Sequence, residues 1–103
     1  LDVTDEPGRA GVRPELAMDL ADQIASAANL ELAGVMGVAP RGGDARAAFE
    51  LLARVGAGIA DDHNSATVIS AGMSGDFAAA IAAGATHVRL GSALLGERAG
   101  FVR

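Results

Sequence analysis

Apolar positions follow two alternating rhythms along this chain. Leu32 to Ala39 (LAGVMGVA) and Ala66 to Ser70 (ATVIS) are short runs of apolar and small residues. Such runs predict buried strands, because a strand covered on both faces loses the in–out alternation of a half-exposed one. Elsewhere the apolar residues return every three or four positions. Leu16, Leu20 and Ile24 predict one face of a helix that opens at Pro14 and ends near Asn29. Phe49, Leu52, Val55 and Ile59 predict a second helix behind a capping Asp44, weakened in its later turns by Gly56 and Gly58. Phe77 and Ile81 predict the inward face of a third, capped by Ser74 and ended by Gly84. Leu1-Asp2-Val3 and Thr86 to Leu90 supply two further strands. Ser92 is placed to cap a last short helix, Ala93 to Leu95. Polar stretches at 4–13, 40–43 and 61–65 read as connections, and the tail from Glu97 to Arg103 has no usable period.

The predicted order is β-α-β-α-β-α-β-α. Strands alternating with helices imply an α/β fold with a parallel sheet and right-handed crossovers, here one domain over residues 1–103. Two architectures fit. One is a small open sheet. The other is about half of a TIM-type (β/α)8 barrel, whose eight units need roughly 250 residues. A first residue already inside a strand favours the half-barrel. A half-barrel has two open sheet edges, a liability unless something pairs with them. The expected partner is an N-terminal half-barrel or a second copy of the chain.

Composition narrows the function. Half the residues are hydrophobic but only 3% are aromatic, all of them Phe, so the core must be built from Ala, Val, Leu and Ile. A net charge of −5 argues against nucleic-acid binding, which needs a basic patch. No apolar run approaches the roughly 18 residues of a membrane span, and no signal-peptide pattern opens the chain, so a cytoplasmic location is the expectation. Cysteine is absent, which removes disulfides and thiolate chemistry. Lysine is absent too: all eight basic residues are Arg, so no lysine in this chain can form a Schiff base.

The stretch ISAGMSGDFAAAIAAGATHVRLGSALLG, residues 69–96, holds the candidate chemistry. Ser70 ends one strand, Arg89 nearly ends the next, and each is followed by small residues and a helix start. Ligands of parallel α/β folds sit at these strand ends. Free N–H groups and the positive dipole end of a helix favour an anion there. Ser74 and Ser92 add hydroxyls, and Gly72 and Gly91 let a ligand approach the backbone. Ordinary turn chemistry would also explain small residues and serine caps. Arg89, inside an apolar strand, calls for an anion or a strong acceptor, because an unpaired buried charge is costly. A phosphate, a substrate carboxylate, a ring nitrogen or a structural pair with Asp76 would serve.

Other motifs carry less. Gly56-Ala57-Gly58-Ile59-Ala60-Asp61 has part of a dinucleotide fingerprint but lies inside a helix. Gly72-Met73-Ser74-Gly75 lacks nucleophile-elbow spacing. His63 and His87 have no metal-ligand spacing. His63 reads as a loop residue. His87 shares strand parity with Arg89 but reads as a structural histidine. Asp61-Asp62 reads as a solvated helix end and Met36 as core.

Taken in order, Ser70-Ala71-Gly72-Met73-Ser74-Gly75-Asp76, Ala79 to Thr86, and Val88-Arg89-Leu90-Gly91-Ser92-Ala93 with Gly96 closely resemble the C-terminal signature of the YggS/PROSC family of pyridoxal-phosphate homeostasis proteins. Leu32 to Met36 and the Asp5 to Gly11 loop are similar to earlier family segments, so the resemblance spans residues 1 to 96. It implies a single barrel like the N-terminal domain of alanine racemase, and pyridoxal 5′-phosphate (PLP) as cofactor. In such proteins the cofactor is held by a lysine on an early strand, and no robust turnover is assigned. The resemblance places Ser70, Met73, Ser74, Gly91 and Ser92 around the phosphate, Met73 through its backbone, and Arg89 at the pyridine nitrogen. An arginine there keeps that nitrogen unprotonated and the ring a poor electron sink. Position 92 is threonine in the usual pattern, and serine keeps the hydroxyl. The family barrel is about twice this length, and its lysine belongs to the other half. The resemblance therefore implies a C-terminal half-barrel, whether fragment, truncated product or one piece of a split barrel, that binds PLP non-covalently if at all. A racemase-type enzyme would need a lysine and a tyrosine, and the chain has neither.

Overall fold

The structure is a computed structural model that describes residues 1–98, so the reading of the tail beyond residue 98 lies outside the described residues. Strand β1 (Gly34–Met36) pairs in parallel with β2 (Val68–Ser70), Gly34 opposite Val68 and Met36 opposite Ser70. The predicted flanking strands take up neighbouring positions without full ladders. On one side Leu1 N donates to Met36 O at 2.7 Å. On the other, Ser70 forms a single parallel bridge with His87, and Ala71 N–H donates to His87 O at 3.0 Å. The regular strands are much shorter than the apolar runs that announced them. Glycine explains part of this. Gly34 has φ +154, and a Cβ there would lie 1.9 Å from the Val68 carbonyl oxygen, so the two backbones meet where only glycine fits.

Among the described residues four helices accompany the sheet: α1 (Ala17–Ser26) after a 3-10 turn at Pro14–Leu16, α2 (Ala45–Asp62), α3 (Phe77–Ala83) and α4 (Ser92–Leu95). The expectation for α2 holds closely. Asp44 Oδ1 accepts the Ala47 N–H at 3.2 Å, and Phe49, Leu52, Gly56 and Ile59 are buried along one face. Gly56 lowers helix propensity, but it also lets α2 settle on the sheet, since a Cβ would stand 3.0 Å from Val35 Cγ2. The helix ends at Asp61-Asp62, both exposed, as the reading of a solvated helix end requires, so the connection begins at His63 rather than at Asp61.

Helices α1 and α3 bury different faces from those expected. In α1 the buried residues are Ala17 and Ala21, while Leu16 and Leu20 are exposed. Small residues give α1 its close contact. Leu20, Ile24 and Leu32 instead line an open apolar cavity of about 230 Å³. In α3, Ala80 is fully buried, whereas Ile81 is 54% exposed. Ala80 sits against Gly72, where a Cβ would be only 2.8 Å from the Ala80 methyl. This contact sets the rotation of the helix and turns Ile81 outward. Gly84 ends α3 as expected, in the left-handed conformation at φ +117.

The result is a partial parallel sheet with α2 packed on it and α3 packed against α2, consistent with part of a barrel-type α/β fold. Among the described residues no helix is long and apolar enough to cross a membrane, and no group of three or more His, Asp or Glu side chains is placed to hold a metal ion.

Candidate functional site

The loop 71–76 and the turn 89–92 lie side by side, as the sequence requires if they serve one ligand. Backbone bonds fasten them: Arg89 N–H donates to Gly72 O at 2.9 Å, beside the Ala71–His87 bond. Gly72 takes φ +99 within this tight passage.

Arg89 reaches back across the strand ends. Its Nη1 donates to Ser70 Oγ at 2.8 Å and its Nη2 to Gly37 O at 3.2 Å. The guanidinium thus spans three strand ends, from 37 through 70 to 89. It makes no ion pair among the described residues, so the suggested pairing with Asp76 is not formed. Two neutral acceptors hold Arg89 in place and leave its charge uncompensated. Gly37 was not foreseen as a partner, because a backbone carbonyl 52 residues away carries no sequence signal.

Serine 74 does not cap α3, which begins after Asp76 with no side-chain cap bond. Its Oγ accepts the N–H groups of Gly91 at 3.3 Å and Ala93 at 3.0 Å, so it closes the start of α4 from a distance of 17 and 19 residues. Ser92, expected as that cap, is instead the first residue of α4 and is exposed. The Met73 N–H donates to Asp76 Oδ1 at 2.8 Å. An acidic side chain at the N-cap position of α3 thus satisfies the amide three residues before it. The spacing from Met73 to Asp76 was the available signal.

Ser70, Ser74, Arg89, Gly91 and Ser92 are therefore brought to one end of the sheet, with Met73 on the adjoining loop. The geometry fits an anion. The two α4 amides converge on one oxygen, that of Ser74, and nothing within 4 Å would meet a Cβ on Gly91, which leaves space over the backbone. A phosphate oxygen is a stronger acceptor than a hydroxyl for amide donors of this kind.

Neither histidine joins the site. His87 is exposed and shares a 2.8 Å hydrogen bond with Thr86 Oγ1. His63 caps the end of α2 and meets Asp22 of α1 at 2.7 Å, a tie between helices that the sequence did not announce.

A second polar group holds the first two loops together. Thr4 is buried, its N–H and Oγ1 both on Asp2 Oδ1, and Arg13 Nη1 donates to Thr4 O at 2.9 Å. Glu6 accepts from Arg9 Nε at 2.8 Å and from the Arg41 N–H at 2.9 Å, while Arg9 Nη2 donates to Ala39 O at 3.1 Å. The Arg9 hydrogen bond, then the Arg41 N–H, hold the Glu6 carboxyl below the usual carboxylate range. Bonds from the Thr4 N–H and hydroxyl do the same for Asp2.

The partial parallel sheet and its helices define an α/β protein, and comparison with known proteins gives the barrel type. Residues 1–99 match the alanine racemase N-terminal domain family, and the chain belongs to that family. Among curated relatives, proteins named pyridoxal phosphate homeostasis protein from Vibrio cholerae and Synechocystis are 37% and 41% identical. The alignments cover 95% and 91% of this chain but 43% and 44% of those proteins, so the chain spans less than half their length. Among solved structures, an unknown protein from Bifidobacterium adolescentis superimposes with a TM-score of 0.86 at 28% identity, over 92% of this chain and 40% of that one. PipY from Synechococcus elongatus, with PLP bound, superimposes with a TM-score of 0.78 at 30% identity, over 93% of this chain and 47% of PipY.

Proposed function

We propose that this chain is the C-terminal, phosphate-gripping half of a pyridoxal 5′-phosphate homeostasis protein, and that it contributes binding rather than catalysis. The observation that carries the reading is Arg89, held by Ser70 and Gly37 without a carboxylate, beside the Gly91 and Ala93 amides gathered on Ser74. The relatives' names and the PLP-bound PipY structure support the choice of anion. In this reading Ser74, Gly91 and Ser92 take the phosphate, with Ser70 and the Met73 backbone beside it, and Arg89 takes the pyridine nitrogen. The Met73 and α4 amides already have internal acceptors, so the phosphate displaces or shares with Ser74 Oγ and Asp76. The cofactor supplies an aldehyde that can form an imine with an amine, but this chain offers no lysine, so binding here is non-covalent and weak.

The test is an absorbance titration with PLP, followed by borohydride reduction and mass spectrometry. The expected result is saturable binding without a trapped side-chain adduct. Arg89→Ala and Ser92→Ala should each weaken it by about tenfold, the scale of one lost charge-assisted hydrogen bond. A trapped side-chain adduct, or unchanged affinity in both variants, refutes the reading.

A partner is part of the same proposal. Leu20 and Met36 are exposed around the apolar cavity at the β1 edge. That face suits the remaining part of a barrel or a second copy of this chain. Light-scattering mass alone and after adding an N-terminal half-barrel from a relative tests it; a monomer in both cases rules it out.

A further inference from the structure

Helix α1 is held more lightly than α2. It buries only Ala17 and Ala21, whereas α2 buries Phe49, Leu52 and Ile59 along with Ala48 and Gly56. Apolar burial stabilises in proportion to its area, so two methyl groups anchor α1 weakly. The two ends of α1 also differ. Just before it, the Asp2 N–H donates to Val12 O at 2.8 Å and Arg13 Nη1 donates to Thr4 O at 2.9 Å. After Ser26 the chain is exposed from Ala28 to Glu31, and it regains a backbone bond to the sheet only at Ala33 O, 2.9 Å from Val68 N.

One side-chain bond ties down the free half of the helix. Asp22 Oδ1 meets His63 Nε2 at 2.7 Å, and among the described residues no other side chain of α1 bonds outside the helix. An imidazole N–H on a carboxylate is a charge-assisted bond whether or not the ring carries a second proton. Its two partners differ in firmness. The backbone of His63 is fixed on both sides, its N–H on Ile59 O and its O on the Ala66 N–H, both at 2.8 Å, and its side chain is only 21% exposed. Asp22 is 59% exposed, on the lightly held helix.

Beneath α1 lies unfilled space. Leu20 and Ile24 line the apolar cavity of about 230 Å³ together with Leu32, Val35 and Ile59. A helix fixed at one end, with few buried contacts and a cavity under it, has the makings of a hinge. We propose that α1 is a hinged cover on this cavity and that the His63–Asp22 bond is the strap that holds it down. The fixed end is Val12-Arg13. When the bond breaks, the C-terminal turns of α1 lift and more of the apolar lining is uncovered. The cavity belongs to the face assigned above to a partner, so the strap sets how much of that face a partner meets. The strap itself rests on neither the cofactor reading nor the partner reading.

The test is amide hydrogen exchange of the ¹⁵N-labelled chain, read residue by residue. Asp22→Ala deletes the acceptor at an exposed position and introduces the best helix former, so helix propensity cannot explain a loosening. Amides of residues 21–26 should exchange about three- to tenfold faster, the scale of one exposed charge-assisted bond, while those of residues 52–59 keep their rates. Binding of 1-anilinonaphthalene-8-sulfonate, a probe of exposed apolar surface, should rise in the same variant. His63→Ala breaks the bond from the other side, and adding it to Asp22→Ala should loosen α1 no further. Unchanged α1 exchange in Asp22→Ala overturns the proposal. So does equal acceleration in α1 and α2, or faster α1 exchange without added dye binding.

Discussion

Gly72→Ala tests how the loop beside the site is held. Gly72 has φ +99, and an added Cβ would stand 2.8 Å from Ala80 Cβ and 3.0 Å from Phe77 Cα. Carbon atoms settle about 3.5–4.0 Å apart, so the contact cannot survive without movement. Ala80 is fully buried and leaves no slack on its side. The left-handed backbone costs an alanine about 1–2 kcal/mol, and overpacking of this kind about 1–3 kcal/mol. Together the variant should lose about 2–5 kcal/mol, a large part of the roughly 5–15 kcal/mol that a domain possesses. Urea unfolding followed by circular dichroism should show the midpoint falling by about 1–3 M. Gly75→Ala is the internal control: it has no positive φ, and nothing within 4 Å would meet its Cβ. Gly72→Ala combined with Ala80→Gly removes the closest contact but not the backbone strain, so partial recovery beyond additivity separates the two causes. Because Gly72 O accepts the Arg89 N–H, the same variant should loosen the PLP binding proposed above. A Gly72→Ala midpoint no lower than that of Gly75→Ala refutes the reasoning.

Two further outcomes follow from the helix caps and the carboxylates. Asp44→Ala removes the acceptor of the Ala47 N–H and should cost about 1 kcal/mol, read as a lowered urea midpoint with unchanged slope; no change would mean that water replaces the cap. Asp2 and Glu6 both have folded-state pKa values below their unfolded ones. Their stabilisation is therefore fully present above the ordinary carboxylate range and is lost as pH falls through the lower folded values. Urea midpoints measured downward from pH 6 should fall in acid, and Glu6→Gln should flatten the decline; an equally steep decline in that variant contradicts the assignment.

Much of this protein was legible in its sequence. The two central strands between their helices, the Asp44 cap, the buried stripe of α2 and the Gly84 stop came through, while the expected strands at Leu1–Val3 and Thr86–Leu90 did not form as such. Each depends on neighbours within a turn or two, where residue type and local geometry act directly. The grouping of Ser70, Ser74, Arg89, Gly91 and Ser92 was also legible, because a parallel α/β order brings successive strand ends together. The absence of lysine bears on the chemistry in the same direct way.

Tertiary structure alone decided the rest. Periodicity shows that a helix has an apolar stripe, but not which surface covers it. Small residues won the close contacts in α1 and α3, so Ala17, Ala21 and Ala80 went inside while Leu20 and Ile81 stayed exposed. Ser74 could have capped the helix that follows it, yet its hydroxyl serves amides 17 and 19 residues away. Arg89 needed an acceptor, but only the assembled sheet could offer the carbonyl of Gly37. Local preferences decide what a residue can bond or bury; which partner it meets depends on distant segments brought together by the fold.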